Sequence, residues 1–358
     1  MSRREAWAHW TISRSPMEPS AEFTLPALDV RALARRAALP AALAAAAAMA
    51  AVLAGGPVQA FAHALGRAVD ADPRWVVAAA GFELLSFAGY VALLWLVAGR
   101  ATPRMGVRES IEVTLGGAAA TRLLPTAGVG GAALTLWSLR KTGLAAPAAA
   151  RTLLTFLVLL YAVFLGAIAV SGTLLAVNGE GPLALTALPA CAAALAMAIP
   201  LGLGLRRPAA SGAAARVRAG ARLLGDAVAD ALALLRSADA RLAGAIAWWA
   251  FDAAVLGAML HAFGAAPSIT VFVFAYFVGQ AGNVVPVPGA VSGGIVGVLL
   301  AFGVDADLAL ISVLGYRSVA IWLPAPIGLV ALTSLRTTIT SWTTPACATA
   351  RTAPAPIC

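Results

Sequence analysis

The sequence predicts an all-α polytopic membrane protein with about six full spans and two re-entrant or broken helical hairpins. Three observations predict it. Mean hydropathy is +0.87, and 11% of the 358 residues are charged, against about 25% in soluble domains. Several apolar runs reach the ~20 residues a helix needs to cross ~30 Å of hydrocarbon. The runs are also long and do not alternate, which points to helices as the way to satisfy backbone amides in lipid. A net charge of +9 would suggest nucleic acid in a soluble protein. Here the arginines gather between apolar runs, where topology accounts for them, and no nucleic-acid partner is expected.

Residues 1–36 are polar and carry Arg3, Arg4 and Arg14, and they read as a disordered cytoplasmic tail. The first span, Ala37–Ala54, follows Arg31, Arg35 and Arg36; the second runs Trp75–Gly99 back to Arg100, Arg104 and Arg108. Next come Ser110–Thr121 and Val129–Leu139, separated by residues 122–128. At about 12 residues, or ~18 Å of helix, neither piece crosses alone. Arg140, Lys141 and Arg151 follow, so a re-entrant hairpin satisfies both lengths and charges. Thr152–Val177 and Leu183–Leu205 are spans, and the basic segment 206–241 reads as an amphipathic helix on the inner leaflet or a connector between halves. Leu242–Phe263 crosses outward to a side marked by Asp305 and Asp307. Leu308–Leu332 returns to Arg336, and 337–358 reads as a second disordered tail. The transmembrane domain is therefore 37–336, in the cell membrane, with both termini cytoplasmic.

Within the apolar run Ile269–Phe302 lies Gln280–Gly294, QAGNVVPVPGAVSGG, which breaks the pattern. Each proline removes an amide donor and biases its predecessor away from helix. Such backbone survives at membrane depth only where protein buries it or it lines a polar cavity. Pro125, Gly128 and Gly130 mark one break; Pro286, Pro288, Gly289 and Gly293 mark the other. One break is approached from inside and the other from outside, the pattern of an inverted-topology repeat. Half-helix N-termini there favour anions. Alternatively, Gly289/Gly293 and Gly293/Gly297 serve as GxxxG packing pairs.

Charges within spans are the second signal, because a central Arg or Asp costs ~2.5–3.5 kcal/mol on insertion scales. Arg122 and Arg317 are candidates to grip a phosphate through the guanidinium fork. Glu83 and Asp252 are candidates to balance them or to bind a cationic group or proton; plain Arg–carboxylate pairing within the bundle is the alternative. Glu109 and Glu112 are weaker candidates near the interface. Cys191, Cys347 and Cys358 form no CxxC pair, and His9, His63 and His261 have no ligand spacing, so no metal or cofactor is expected. No nucleophile set or phosphate-binding loop appears, and no enzymatic activity is expected.

RLLPTAGVGGAALTLWSLRKTG at 122–143, WWAFD at 248–252, YFVGQAGNVVPVPG at 276–289, AFGVDADLAL at 301–310 and YRSVAIWLPAPIG at 316–328 resemble the lysylphosphatidylglycerol synthase transmembrane-region family, over roughly 37–336. The resemblance implies a flippase-like integral membrane protein. No stretch here is long and polar enough to be the aminoacyl-transferring domain of the two-part enzymes. In that family the second motif usually reads proline–glycine–glycine followed shortly by glutamate. PGAVSGG offers Ser292 instead, so a step relying on that carboxylate has no counterpart in this chain.

The expected function is a lipid translocase whose anionic headgroup is contacted by Arg122, Arg317 and Asn283. The alternative is a non-transporting subunit that scaffolds or regulates a lipid or glycan synthase. An integral-membrane transferase, with Asp252 or Glu83 as acid or base, has the least support.

Overall fold

The computed structural model describes residues 70–123, 129–206, 215–284 and 289–343. The expected first span, the tail 1–36, and Pro125, Gly128, Pro286 and Pro288 lie outside the described residues. Among the described residues the regular structure is helical, with no strand, and 5 helices are long and apolar enough to cross a membrane. The chain therefore has the make-up of a multi-pass, all-α membrane protein.

Helix α1, Pro73–Ala101, starts where Asp72 accepts the Arg74 amide at 2.9 Å and proline occupies the first turn. It stops at Thr102, which is extended because Pro103 follows. Helices α2 (Val107–Leu123) and α3 (Val129–Lys141) form the first hairpin. Helices α4 (Ala146–Val177) and α5 (Leu183–Arg206) are long and apolar, and α6 (Ala215–Arg236) is amphipathic. Helix α7 (Ala243–Phe263) precedes the second hairpin, made of α8 (Ile269–Gln280), a 3-10 turn at Ala281–Val284, and α9 (Ala290–Ala301). Helix α10 (Ala306–Trp322) is capped by Asp305, and α11 (Pro324–Thr343) ends the described chain.

The tightest seam is α1 against α7, antiparallel along its whole length. The Asp72 amide donates to the Ala262 carbonyl at 3.0 Å, Trp75 stacks on His261, Phe82 stacks on Phe251, and Arg241 lies over Trp95 at the far end. Between them Gly89 and Gly244 let the backbones touch: a Cβ on Gly89 would lie 2.8 Å from the Gly244 carbonyl oxygen. Without a hydrophobic drive between helices in lipid, close backbone approach of this kind supplies the packing.

Each hairpin is drawn together by its own glycine pair. In the first, a Cβ on Gly117 would lie 3.3 Å from the Gly131 Cα, and the Gly131 amide donates to Thr121 Oγ1 at 2.7 Å. In the second, a Cβ on Gly294 would lie 3.1 Å from the Gly279 Cα. The expected GxxxG pairs do not pack: among the described residues nothing lies within 4 Å of a Cβ placed on Gly289, Gly293 or Gly297. Gly294, one residue on and so about 100° round the helix, faces the partner arm. Gly289 instead takes the left-handed conformation, φ 83°, from which α9 starts.

Two sequence boundaries move. Helix α2 has 17 residues rather than about 12, because Glu109 accepts the Gly106 amide at 3.0 Å and starts the helix earlier. At ~26 Å it still falls short of ~30 Å. Glu112 holds this helix to α11 as a buried carboxylate, accepting from Ser334 at 2.6 Å, Thr338 at 2.8 Å and Arg108 at 3.1 Å. Both glutamates therefore have structural employment. Helix α11 continues to Thr343, so the first residues of the expected 337–358 tail are helical. Helix α6 buries Ala227, Val228, Ala231 and Leu234 and packs against α4 and α5, and Arg151 of α4 forks onto Asp230.

Gly89→Leu is expected to force the α1–α7 seam apart at a cost of about 1–3 kcal/mol. The detergent-solubilised protein should show a lowered unfolding midpoint, whereas Gly297→Leu should leave it near wild type.

Asp239, just outside the α7 span, sits 2.8 Å from Arg241 and 3.6 Å from Arg100. The Arg241 hydrogen bond, aided by the backbone and by both guanidinium charges, pulls its carboxyl from 3.8 down to about 2. Because the folded value is the lower one, the stabilisation is complete above the unfolded value and is lost as pH falls through about 2. The gap in unfolding midpoint between wild type and Asp239→Asn should stay constant from about pH 7 to pH 5 and close as the pH approaches 2.

Candidate functional site

Asp252 sits in the middle of α7, 6% exposed, where an ionised carboxylate needs donors or a counter-charge. Donors come from two other helices. The Tyr276 hydroxyl of α8 and the Tyr316 hydroxyl of α10 both donate to Asp252 Oδ2, the latter at 3.1 Å. Gln280 Nε2 donates to the Tyr316 oxygen at 2.7 Å, and Asn283 Nδ2 donates to Gln280 Oε1 at 3.1 Å. Tyr276, Gln280 and Asn283 recur at i, i+4 and i+7, so one face of α8 and its 3-10 extension carries the relay. The chain of hydrogen bonds begins at a buried carboxylate and ends at Asn283, which is exposed at the break.

Arg317, the residue after Tyr316, points toward the second hairpin. Its Nε donates to Ser292 Oγ at 3.1 Å, and its guanidinium carbon lies 5.9 Å from the Tyr316 ring centre. It is half-buried. Arg100, Arg108, Arg151 and Arg241 each have a carboxylate, but among the described residues none pairs with Arg317. Ser292 lies in the first turn of α9, whose N-terminus has no side-chain cap. The first intrahelical bond runs from the Gly293 amide to the Gly289 carbonyl at 2.8 Å, and the amides before it lack intrahelical acceptors and carry the positive end of the helix dipole. An unneutralised guanidinium beside such amides is a setting for an anion.

The structure thus brings Asp252, Asn283 and Arg317 onto three neighbouring elements. Glu83 approaches from α1, beside the Phe82 that stacks on Phe251. Glu83, 1% exposed, borders an apolar groove of about 490 Å³ between α1, α2 and the start of α11, lined by Phe87, Val91, Trp95 and Ile111 among others. None of Asp252, Asn283 or Arg317 lines that groove. Arg122 occupies the last turn of α2, at the tip of the first hairpin, and its side chain lies outside the described residues. Gly130 lies in the first turn of α3, and Gly293 in the first turn of α9. Among the described residues no group of three His, Cys, Asp or Glu side chains is placed to hold a metal.

Sequence reasoning missed Tyr276, Gln280 and Tyr316. The i, i+4, i+7 spacing inside YFVGQAGN was the available signal for two of them. Nothing local pairs Tyr316 with Asp252, 64 positions away.

The chain matches no model of a known protein family, and a search of curated proteins finds no match. The likeness to the lysylphosphatidylglycerol synthase transmembrane region rests on the quoted motifs alone.

Tyr316→Phe removes one donor from Asp252 and the acceptor of Gln280, two losses in a buried site. It should destabilise the protein by about 1–3 kcal/mol, read as a lowered unfolding midpoint. Asn283→Ala, at the exposed end, should change stability by less than about 0.5 kcal/mol.

Proposed function

We propose that this chain is a flippase-like lipid transporter that takes an anionic phospholipid or lipid-linked headgroup at the broken second hairpin, with Arg317 as a principal contact. The observation that carries this reading is Arg317 itself. It is a half-buried guanidinium with no carboxylate among the described residues, held by Ser292 at an uncapped helix N-terminus. In this reading Ser292 does what an acid at its place would prevent. It orients the arginine and leaves its charge for the ligand.

A repeated order of elements supports the reading. A helix, a glycine-paired hairpin and a further helix follow one another twice, as α1 to α4 and as α7 to α10. The interval from Ala101 to Phe263 equals that from Val107 to Ile269 and from Gly117 to Gly279. PTAGVGG at 125–131 and PGAVSGG at 288–294 share their proline, alanine and paired glycines at the same spacing. On this pattern the two hairpins enter from opposite faces and Arg122 is the first hairpin's counterpart contact; the arginines between the apolar runs favour cytoplasmic termini.

Leaflet exchange of a fluorescent phosphatidylglycerol in liposomes carrying the full chain tests the reading. Arg317→Ala and Arg122→Ala, made separately, should each slow exchange about tenfold or more, the scale of a lost charge-assisted hydrogen bond. Ser292→Glu should slow it as well by neutralising Arg317. Wild-type rates in both arginine variants would remove these residues from the mechanism.

A second reading, a non-transporting subunit of a lipid or glycan synthase, draws on the lack of an acid at Ser292. Copurification of a synthase with a chain that moves no lipid would favour it.

A further inference from the structure

The hydrogen-bond chain from Asp252 to Asn283 has a direction, and the direction is dictated by chemistry. An ionised carboxylate only accepts, and a tyrosine hydroxyl has one proton to give. Tyr316 gives that proton to Asp252, so its oxygen must receive from Gln280 Nε2. The Gln280 carbonyl is then turned to Asn283, which must donate through Nδ2. The Asn283 carbonyl and only one of its N–H bonds remain for whatever occupies the break. With a proton on Asp252 the constraint lifts. The carboxyl becomes a donor, Tyr316 can donate to the Gln280 carbonyl, and the Gln280 amide can donate to the Asn283 carbonyl. Both Asn283 N–H bonds then face the break. Neutralising Asp252 also removes a negative charge from the surroundings of Arg317, one residue from its partner Tyr316.

We propose that Asp252 is a proton-binding site coupled to the anion site at the break, so that protonation of Asp252 and binding of a phosphate-ester anion favour each other. The inference rests on the reading of Arg317 as an anion contact and adds what drives or gates it. One proton is taken up from water, resides on the Asp252 carboxyl, and is not passed to the ligand. By reciprocity the anion must raise proton affinity as much as the proton raises anion affinity. Among the described residues, the ionisable groups on the elements packed against this part of α7 are Tyr276 on α8 and Tyr316 on α10, both bonded to Asp252; Arg317, the next residue on α10; Glu83 on α1, beside the Phe82 that stacks on Phe251; Tyr90 on α1, against Trp248; Tyr161 on α4, against Trp249; and His261 further along α7. Glu83 is the rival proton acceptor, and the test separates it.

The purified full chain in detergent is titrated with dioctanoyl-phosphatidylglycerol and, in parallel, with dimethyl phosphate, diesters that stay ionised across the pH range used. Proton uptake is read with an indicator dye in weak buffer, and affinity is measured against pH. Wild type should take up as much as about one proton per chain on binding, with affinity rising by up to about tenfold per unit of falling pH. Uptake with the lipid alone assigns the site to a headgroup in its bilayer setting, and uptake with both assigns it to the phosphodiester itself. Asp252→Asn should abolish uptake and flatten the pH dependence while binding persists. Gln280→Met, which cuts the relay and leaves the carboxyl in place, should reduce the uptake sharply; a merely structural role for Gln280 would weaken binding without changing proton stoichiometry. Binding by wild type without uptake overturns the coupling and leaves the anion site standing, whereas no binding of either probe at any pH overturns both. Uptake that survives Asp252→Asn but is lost in Glu83→Gln moves the proton to Glu83 and overturns the assignment.

Discussion

A backbone or side-chain polar group in hydrocarbon has no water to fall back on, and the buried carboxylates of Asp252 and Glu112 are placed where protein supplies the donors. The Asp252 carboxylate is the strictest instance. It receives two tyrosine hydroxyls from different helices, and those helices must sit where the hydroxyls reach. That requirement ties α7, α8 and α10 together. The glycine seam between α1 and α7 serves the same end by another means, bringing backbones close enough that α7 is held along its whole length.

Much of the helical layout was legible in the sequence. The helices at Pro73–Ala101, Ala146–Val177, Leu183–Arg206 and Ala243–Phe263 follow the apolar runs and their arginine boundaries within a few residues. An interruption between α8 and α9 was legible from Pro286 and Pro288, since no pattern of hydropathy carries a helix through two prolines. The chemistry of the site was less legible, for a physical reason. In an apolar helix a tyrosine reads as one more aromatic, and its hydroxyl acquires meaning only from a carboxylate on another helix. The packing glycines were misjudged for a related reason. Gly293 and Gly294 are equivalent in composition, but only the one turned toward Gly279 by the helical rotation makes the contact.

Arg317 and Asp252 divide the site between them. Arg317 is met by the hydroxyl of Ser292, and the aspartate is met by two tyrosine hydroxyls instead of by the arginine. A direct ion pair between them would have been the simpler way to bury both charges; the structure instead separates them by a relay of neutral groups.

The Glu112 clamp bears on how the chain is assembled. Its carboxylate lies in the first hairpin, and two of its donors, Ser334 and Thr338, lie 222 and 226 positions further on. During synthesis that glutamate enters the membrane region long before α11 exists to receive it. The buried carboxylate gains these two donors only once α11 is made, so α11 acts as a closing bolt whose loss would be felt in the first hairpin.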